Sequence, residues 1–374
     1  MSICIVSPFF HERKDVSRPS YVRGLLIDEG YDVITITSDF SHVEKKKISF
    51  CDEGIITVKT IPYKNNVSLM RFLSHLILSI GLFYRAYKYR NDVDCFYITA
   101  PFALTAMLVK IFTGRKVLVD IVDYWPNSLP IKKSWLLSPF LYFWYKTNYL
   151  SCSLSDRVIS VSSNFLKLAD RKSDDLFLLS SSRKWEGRVI KNRNELNILY
   201  LGNIGTLYDF DSLMSAVSEF QHKTVLHIVG DGDNKNYLLE SLRSKNIDFV
   251  YYGIQYDKLK LKSIIDNCDI GFNGYINTNA TFSYKALSYF SYGLPIINSM
   301  SGDLYDFVSK KELGVNYLGG NYKSLLSALN EFVELDKIVV FNNVINFFEL
   351  NLENERVNEK MVNVFKEILH EEIV

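Results

Sequence analysis

At 374 residues the chain is longer than one hydrophobic core usually serves, so two domains are expected. Apolar residues at 48% and charged residues at 23% exclude long disorder, and five scattered cysteines without paired spacing exclude a disulfide frame or a zinc site. The net charge of +1 divides unevenly: residues 1–190 hold 26 Lys and Arg against 18 Asp and Glu (net +8), and the remainder nets −7. The first half is therefore expected to face something anionic, a phospholipid surface or a pyrophosphate-linked acceptor, unless two solvated surfaces differ by chance.

The first half alternates strand and helix. Ser2–Ser7 reads as a short buried strand, Ser20–Glu29 as a helix stopped by Gly30, and Asp32–Thr37 as the next strand. A strand at Ile55–Thr60 precedes a long helix from Leu69 to about Arg90. Strands follow at Cys95–Ile98, Lys116–Ile121 and Ser155–Ser160, with helices at Leu104–Phe112 and Asn164–Ala169. Such alternation predicts a parallel sheet covered on both faces.

Residues 171–196 are polar and charged and break this rhythm, which places the interdomain linker there. A second series then begins. Its strands are Leu196–Leu201, Val225–Val229, Asp248–Tyr252 and Asp269–Asn273, and its helices Phe210–Phe220, Tyr237–Lys245 and Lys258–Asn267. A helix starts near Ser283 and is stopped by Gly293, and Ile296 and Ile297 open a buried strand. Asn354–Glu372 closes the chain as a helix with Val357, Met361, Val364, Phe365 and Ile368 on its apolar stripe.

No apolar stretch reaches the roughly 18–20 residues of a membrane span. Leu69–Tyr89 is apolar but carries Arg71, His75, Arg85 and Lys88, and Trp135–Leu150 is dense in aromatic residues and follows Lys132 and Lys133. Rings beside basic residues suit a membrane interface, and a core helix on a sheet is the other reading of the first segment. The start, Met1-Ser2-Ile3-Cys4, lacks the basic opening of a signal peptide and enters a strand at once. With the cysteines read as reduced core thiols, a cytoplasmic location is expected.

The chemistry concentrates in the second series. Gly202-Asn203-Ile204-Gly205 lies between a strand and a helix, where glycine lets backbone approach a phosphate without a Cβ in the way. Gly230-Asp231-Gly232 repeats the pattern one unit on. The segment from Asn279 to Ile297 repeats it again, with Lys285 in the first turn of its helix. Three such turns, one with a lysine, predict a nucleotide pocket. Asp-x-Asp triplets recur at Asp92/Asp94, Asp209/Asp211 and Asp231/Asp233, a spacing that on its own could suggest a metal. In the first half, Asp123 ends a buried strand before Tyr124-Trp125-Pro126 and is the first choice to accept or orient a proton, or else it caps the turn. His11, near Arg13, Lys14 and Arg18, reads as a solvated loop residue, and His222 and His227 as structural ones.

The order of these segments resembles glycosyltransferase family 4, of the type that assembles bacterial surface polysaccharides. YLGNIGTLYDFDSLMSAV, LHIVGDGDNKNYL, YYGIQYDKLKLKSIIDNCDIGFNGY and FSYKALSYFSYGLPII are similar in order to its nucleotide-sugar domain, and Ala100-Pro101 with DIVDYWPNS and SDRVISVSSNFLKL to its first domain. The resemblance implies an α/β GT-B fold: two Rossmann-like parallel-sheet domains facing across a cleft. Residues 1–183 would take the acceptor and 184–350 the nucleotide-sugar, with 351–374 as a terminal helix free to cross back to the first domain.

It implies donor contacts from Gly202, Asn203, Gly205, Thr206, Gly230, Asp231, Lys285 and Ser288, with Lys285 and Asp123 as the catalytic pair and no cofactor. Relatives carry Arg after Gly-Asn-Ile-Gly, where this chain has Thr206. They carry a ribose-binding Glu at the place of Ser288 and an acidic residue at that of Thr281. The activity implied is metal-independent, retaining transfer of a hexosyl or acetamidohexosyl unit from a nucleotide-sugar to a lipid-linked oligosaccharide. The setting would be capsule or O-antigen synthesis on the inner face of the cell membrane, with no nucleic-acid partner. The departures favour a second expectation, a non-catalytic subunit that positions a partner enzyme. A nucleotide-sugar epimerase shares the fold and is a third.

Overall fold

The structure, a computed structural model, describes all residues except 12–16, 43, 65–68, 101–102, 126–137, 172–174, 187–189, 191–193, 277, 279 and 371–374. Parts of several motifs above fall outside the described residues: Arg13 and Lys14, Pro101, Pro126–Ser128, Lys132, Lys133, Trp135 and Asn279. The chain divides into two compact units, residues 1–177 with 358–374, and residues 178–357.

The first unit runs β1 (Ser2–Ser7), α1 (Arg18–Asp28), β2 (Asp32–Ser38), β3 (Phe40–Ser41), β4 (Lys46–Lys47), β5 (Ile55–Val58) and α2 (Leu69–Lys88). It continues with β6 (Cys95–Thr99), α3 (Ala103–Thr113), β7 (Lys116–Ile121), α4 (Ser138–Leu154), β8 (Arg157–Ser160), α5 (Ser163–Leu168) and β9 (Asp175–Leu176). Its sheet has the order β5-β2-β1-β6-β7-β8-β9, parallel throughout, and β3 and β4 form a separate antiparallel pair. The strands read as near-continuous apolar runs because helices cover both faces: all five residues of β6 are buried.

β9 is a correction. It lies inside the polar stretch read as linker, yet it pairs with β8, and Phe177 and Leu178 behind it are buried. Two residues of strand are too few to leave a periodic signal. A buried ion pair ties α1 to this sheet: Arg18 Nε donates to Asp120, whose same oxygen accepts from Tyr97 Oη. Burial and the Asp120 charge together raise the Tyr97 pKa well above the usual phenol range.

The second unit holds β10 (Leu196–Leu201), α6 (Phe210–Glu219), β11 (Thr224–Val229), α7 (Lys235–Ser244), β12 (Asp248–Gly253), α8 (Lys258–Ile265) and β13 (Ile270–Asn273). Then follow α9 (Tyr284–Ser291), β14 (Ile296–Asn298), α10 (Asp303–Lys311), β15 (Gly314–Asn316), α11 (Tyr322–Glu334) and α12 (Lys337–Asn351). The sheet order is β12-β11-β10-β13-β14-β15, again parallel. Asn321 and Asp336 cap α11 and α12 by accepting from backbone N–H groups in their first turns. The closing helix α13 (Asn354–His370) belongs to the first unit from Asn358 on, where Phe365 packs its ring 5.9 Å from Tyr97. Four cysteines are buried as expected; Cys51 is exposed, since it lies in a loop before β5 and not in a core.

Candidate functional site: the carboxyl edge of the second sheet

In the second unit the strand order reverses at β10, which has β11 on one side and β13 on the other. Ligands of open α/β sheets bind at the carboxyl ends of strands at such a reversal. Three segments converge there: the turn after β10, the turn after β11, and the start of α9.

Backbone packs on backbone between the first two. A Cβ at Gly230 would stand 1.9 Å from the Gly202 carbonyl oxygen, and φ is +138° at Gly230 and +127° at Gly202, so only glycine fits. Gly202 is also the floor under Lys285, whose Cε would lie 2.9 Å from a Cβ there.

α9 is set in place by its cap. Ser283 Oγ accepts from Ala286 N at 3.0 Å and donates to Asn273 Oδ1 at 2.8 Å. Asn273 donates to Asn298, and Asn298 to Asn316, each at 2.8 Å, so three in-register strand ends share one amide chain. Farther along, Tyr289 Oη accepts from Leu201 N at 3.0 Å, which ties α9 to the end of β10.

This frame presents Lys285 one residue inside the helix. Its Nζ donates to Tyr200 Oη at 2.6 Å and lies 3.1 Å from the centre of the Tyr208 ring, 4.3 Å from that of Tyr200 and 5.6 Å from that of Tyr275. Tyr200 Oη in turn donates to the Asn203 carbonyl. The ring faces attract the ammonium. Burial still pushes the Lys285 pKa down to about 6, and no ion pair to it occurs among the described residues. The positive end of the α9 dipole adds to this. The amine is therefore largely neutral at pH 7, and an anion beside it would favour its protonated form.

Residues 195–334 match the family described as Glycosyl transferases group 1. Among solved structures, the lipopolysaccharide outer core galactosyltransferase WaaB in its apo form matches with TM-score 0.69 and 17% identity, covering 98% of this chain and 100% of that one. Anabaena Alr3699/HepE in complex with UDP gives TM-score 0.65 at 14% identity, with 98% and 100% covered. Sucrose-phosphate synthase from Thermosynechococcus elongatus gives 0.66 at 14%, with 98% of each chain covered. At these identities the likeness reports the fold. The chain has the GT-B fold. No curated protein matches by sequence. Family and fold together support glycosyltransfer.

Within residues 195–334, Gly202, Asn203, Gly205, Gly230 and Lys285 come together as described. Thr206 stands exposed beyond Gly205, with no side-chain hydrogen bond among the described residues. Asp231 is engaged locally: it accepts from Gly232 N at 2.8 Å and pairs with Lys235 at 3.0 Å, which lowers its pKa. Ser288 lies one turn beyond Lys285, half-buried, and its hydroxyl has no partner among the described residues. Asp94, Asp209 and Asp211 of the Asp-x-Asp triplets accept from Ser2 N, from Tyr317 Oη and Gly320 N, and from Tyr237 Oη. His227 is buried between Asn197 and Tyr252, and His11 and His222 are exposed.

Asp123 belongs to the other GT-B unit, just past β7. Its Oδ2 accepts from Trp125 Nε1 at 2.5 Å, and nearby Arg71 has its pKa lowered by burial, which Tyr63 and then the Asp123 charge partly offset. Around it stands a group that motif reading does not single out. Arg71 Cζ lies 4.3 Å over the Trp125 ring, and His75 stacks on that ring at 5.2 Å. Tyr63 Oη lies 2.9 Å from His42 Nδ1 and 3.2 Å from His75 Nε2, with Lys45 Nζ 4.8 Å over the Tyr63 ring. Burial and the nearby Lys45 and Arg71 charges push His42 down to about 4; burial, with Arg71 first among the charges, pushes His75 down to about 3. The signal that could have found this group is the i, i+4 spacing of Arg71 and His75, which puts both on one face of α2.

Proposed function

We propose that the chain transfers a sugar from a nucleotide-sugar to a lipid-linked oligosaccharide, with retention and without a metal, in surface-polysaccharide synthesis at the cytoplasmic face of the membrane. The observation that carries the reading is Lys285, a buried amine at a helix N-terminus beside two glycine turns, which an arriving anion would protonate. A donor diphosphate there would meet the ammonium and the free N–H groups of the helix start. In the reaction the bond from the sugar's anomeric carbon to the diphosphate oxygen breaks, and the diphosphate keeps the electron pair. The acceptor hydroxyl forms its bond on the same face. Lys285 stabilises the charge that grows on the leaving oxygen. Asp123, whose Oδ1 accepts no hydrogen bond among the described residues, is our candidate to orient the hydroxyl and receive its proton.

The membrane part of the reading draws on α2. Met70, Leu73, Ile77, Ile80 and Tyr84 recur at three- and four-residue steps and are all exposed, with Tyr142, Phe143 and Tyr149 exposed on α4. Lys88 and Lys146 lie over the Tyr84 and Tyr149 rings, as basic residues do when their stems cover apolar surface. Among the described residues no helix is long and apolar enough to cross a membrane, so the contact would be peripheral.

The test supplies nucleotide-sugars with a lipid-linked acceptor and compares wild type with Lys285→Ala. Transfer should fall at least a hundredfold, and full activity in the variant would remove Lys285 from the reaction. Thr206 and Ser288 favour a second reading, a non-catalytic subunit. Titration calorimetry with UDP, GDP and CMP decides between them, since a scaffold that has lost its donor site binds none. Product analysis without acceptor detects an epimerase.

A further inference from the structure

Tyr200 stands near the end of β10, and the two-residue period of the strand puts it on the core face with Ile198. Its ring is buried and meets Phe210 edge-on at 4.7 Å. A phenylalanine would fill the same space, so the hydroxyl is the part that packing does not explain. A buried phenol needs partners for its oxygen. Its one hydrogen goes to the Asn203 carbonyl, which can only accept. The oxygen is then left to accept from Lys285 Nζ, 2.6 Å away.

Tyr208 meets the same nitrogen with its ring. The segment before α6 runs antiparallel to the segment after β13: Tyr208 bridges Tyr275, Ile276 N donates to Leu207 O at 2.9 Å, and Asp209 N to Gly274 O at 3.3 Å. Backbone pairing thus holds the Tyr208 ring centre 3.1 Å from Nζ, while the lysine stem lies over Gly202. Among the described residues, the titratable groups facing Nζ are the phenols of Tyr200, Tyr208 and, farther off, Tyr275. Burial raises the Tyr200 and Tyr275 phenols above the usual range, so both stay neutral wherever the amine titrates.

An ammonium has three N–H donors and no acceptor. The geometry gives one to Tyr200 Oη and turns one onto the Tyr208 face, which leaves one. In the neutral amine this third position is the lone pair, and it becomes a donor only when a proton is taken up beside an anion. We propose that Tyr200 and Tyr208 are positioning residues: the Tyr200 hydroxyl and the Tyr208 ring fix two of the three N–H directions of Lys285, so that the third meets a single oxygen of an anionic ligand, the leaving oxygen of the donor diphosphate. The proposal deepens the donor reading and rests on it.

The test follows the amine itself, by NMR of the full chain labelled at the lysine ε-carbons, with the Lys285 signal identified by its loss in Lys285→Met. Tyr200→Phe and Tyr208→Leu each remove one support of the ammonium and should lower the Lys285 midpoint by about one unit. Because binding of UDP takes up a proton, calorimetry at pH 7.5 should show affinity about tenfold weaker in each. Tyr208→Phe keeps the ring face and should restore most of what Tyr208→Leu loses. In a Lys285→Met background, Tyr200→Phe should change UDP affinity by no more than about twofold.

A tenfold loss that persists in the Lys285→Met background would mean that the hydroxyl acts on the turn through Asn203, and overturns the proposal. So does an amine midpoint that stays in place in Tyr200→Phe and Tyr208→Leu. If a urea melt shows that Tyr200→Phe does not fold, the comparison of Tyr208→Leu with Tyr208→Phe carries the test. Midpoints that move as stated in a protein that binds no UDP sink the donor reading and leave the assignment of the N–H directions. UDP binding with unmoved midpoints does the reverse.

Discussion

On the proposed function, donor binding would depend on pH through the setting of Lys285. With its pKa at about 6 instead of 10.5, Lys285 loses at pH 7 a proton that the unfolded chain keeps. At 1.36 kcal/mol per unit this costs the fold about 4–5 kcal/mol. The sign follows from proton counts. Between pH 6 and 10.5 the unfolded chain binds more protons, so this contribution makes stability rise with pH; below about 6 both states hold the proton and the folded one bears the full cost. A diphosphate beside Nζ reverses the balance by favouring the ammonium, so binding must take up a proton. From pH 7.5 to 9, where the ligand's own phosphates are fully ionised, affinity for a nucleoside diphosphate should fall about tenfold per unit. Calorimetry in two buffers of different ionisation enthalpy reads the proton directly, and one per ligand is expected. Lys285→Met should abolish both the proton uptake and the slope, and should raise the urea midpoint at pH 6. A flat profile in wild type, or the same slope in Lys285→Met, would refute the assignment.

Asp120→Asn strips the charge that Arg18 and Tyr97 share and should cost about 3–5 kcal/mol in urea unfolding; a loss below about 1 kcal/mol would mean that the pair contributes little. Gly230→Ala drives a Cβ into the Gly202 carbonyl at positive φ and should cost about 2–5 kcal/mol and most nucleotide affinity. An unaltered midpoint there would show that the two turns can separate. Ser288→Glu offers a ribose a charged acceptor and should tighten UDP binding about tenfold, while a dideoxy analogue gains nothing. Equal gains for both ligands would point to a general charge effect.

Much of this was legible from residue order. The glycine turns at Gly202 and Gly230, the Ser283 cap, the Gly293 stop and the position of Lys285 all depend on local backbone chemistry, which neighbouring residues encode. The surroundings of Lys285 were not legible, because Tyr200, Tyr208 and Tyr275 come from two separate strand ends and each reads alone as a core aromatic. The same holds in the first unit, where Arg71 and His75 read as interruptions of an apolar helix until Trp125 and Tyr63 are brought against them by the sheet. The sequence-based expectation also stops at Ile297 and resumes at Asn354. Within that interval Asn321 and Asp336 are ordinary cap signals, but no chemistry-bearing motif marks them.

The contact between the turns after β10 and β11 has a consequence for how this domain can vary. Besides the touching glycines, Ile204 N donates to Asp231 O at 2.8 Å and Asn234 N to Ile204 O at 3.0 Å. The two turns are thereby one rigid body, and lengthening either would have to be matched in the other. Neither can be remodelled to suit a new sugar. On the proposed function, preference among donors would then be written in the side chains that border this welded pair, from Thr206 to Tyr208 and around Tyr275, where substitution leaves the backbone in place. A library confined to those positions would change the choice of donor while the fold stays intact.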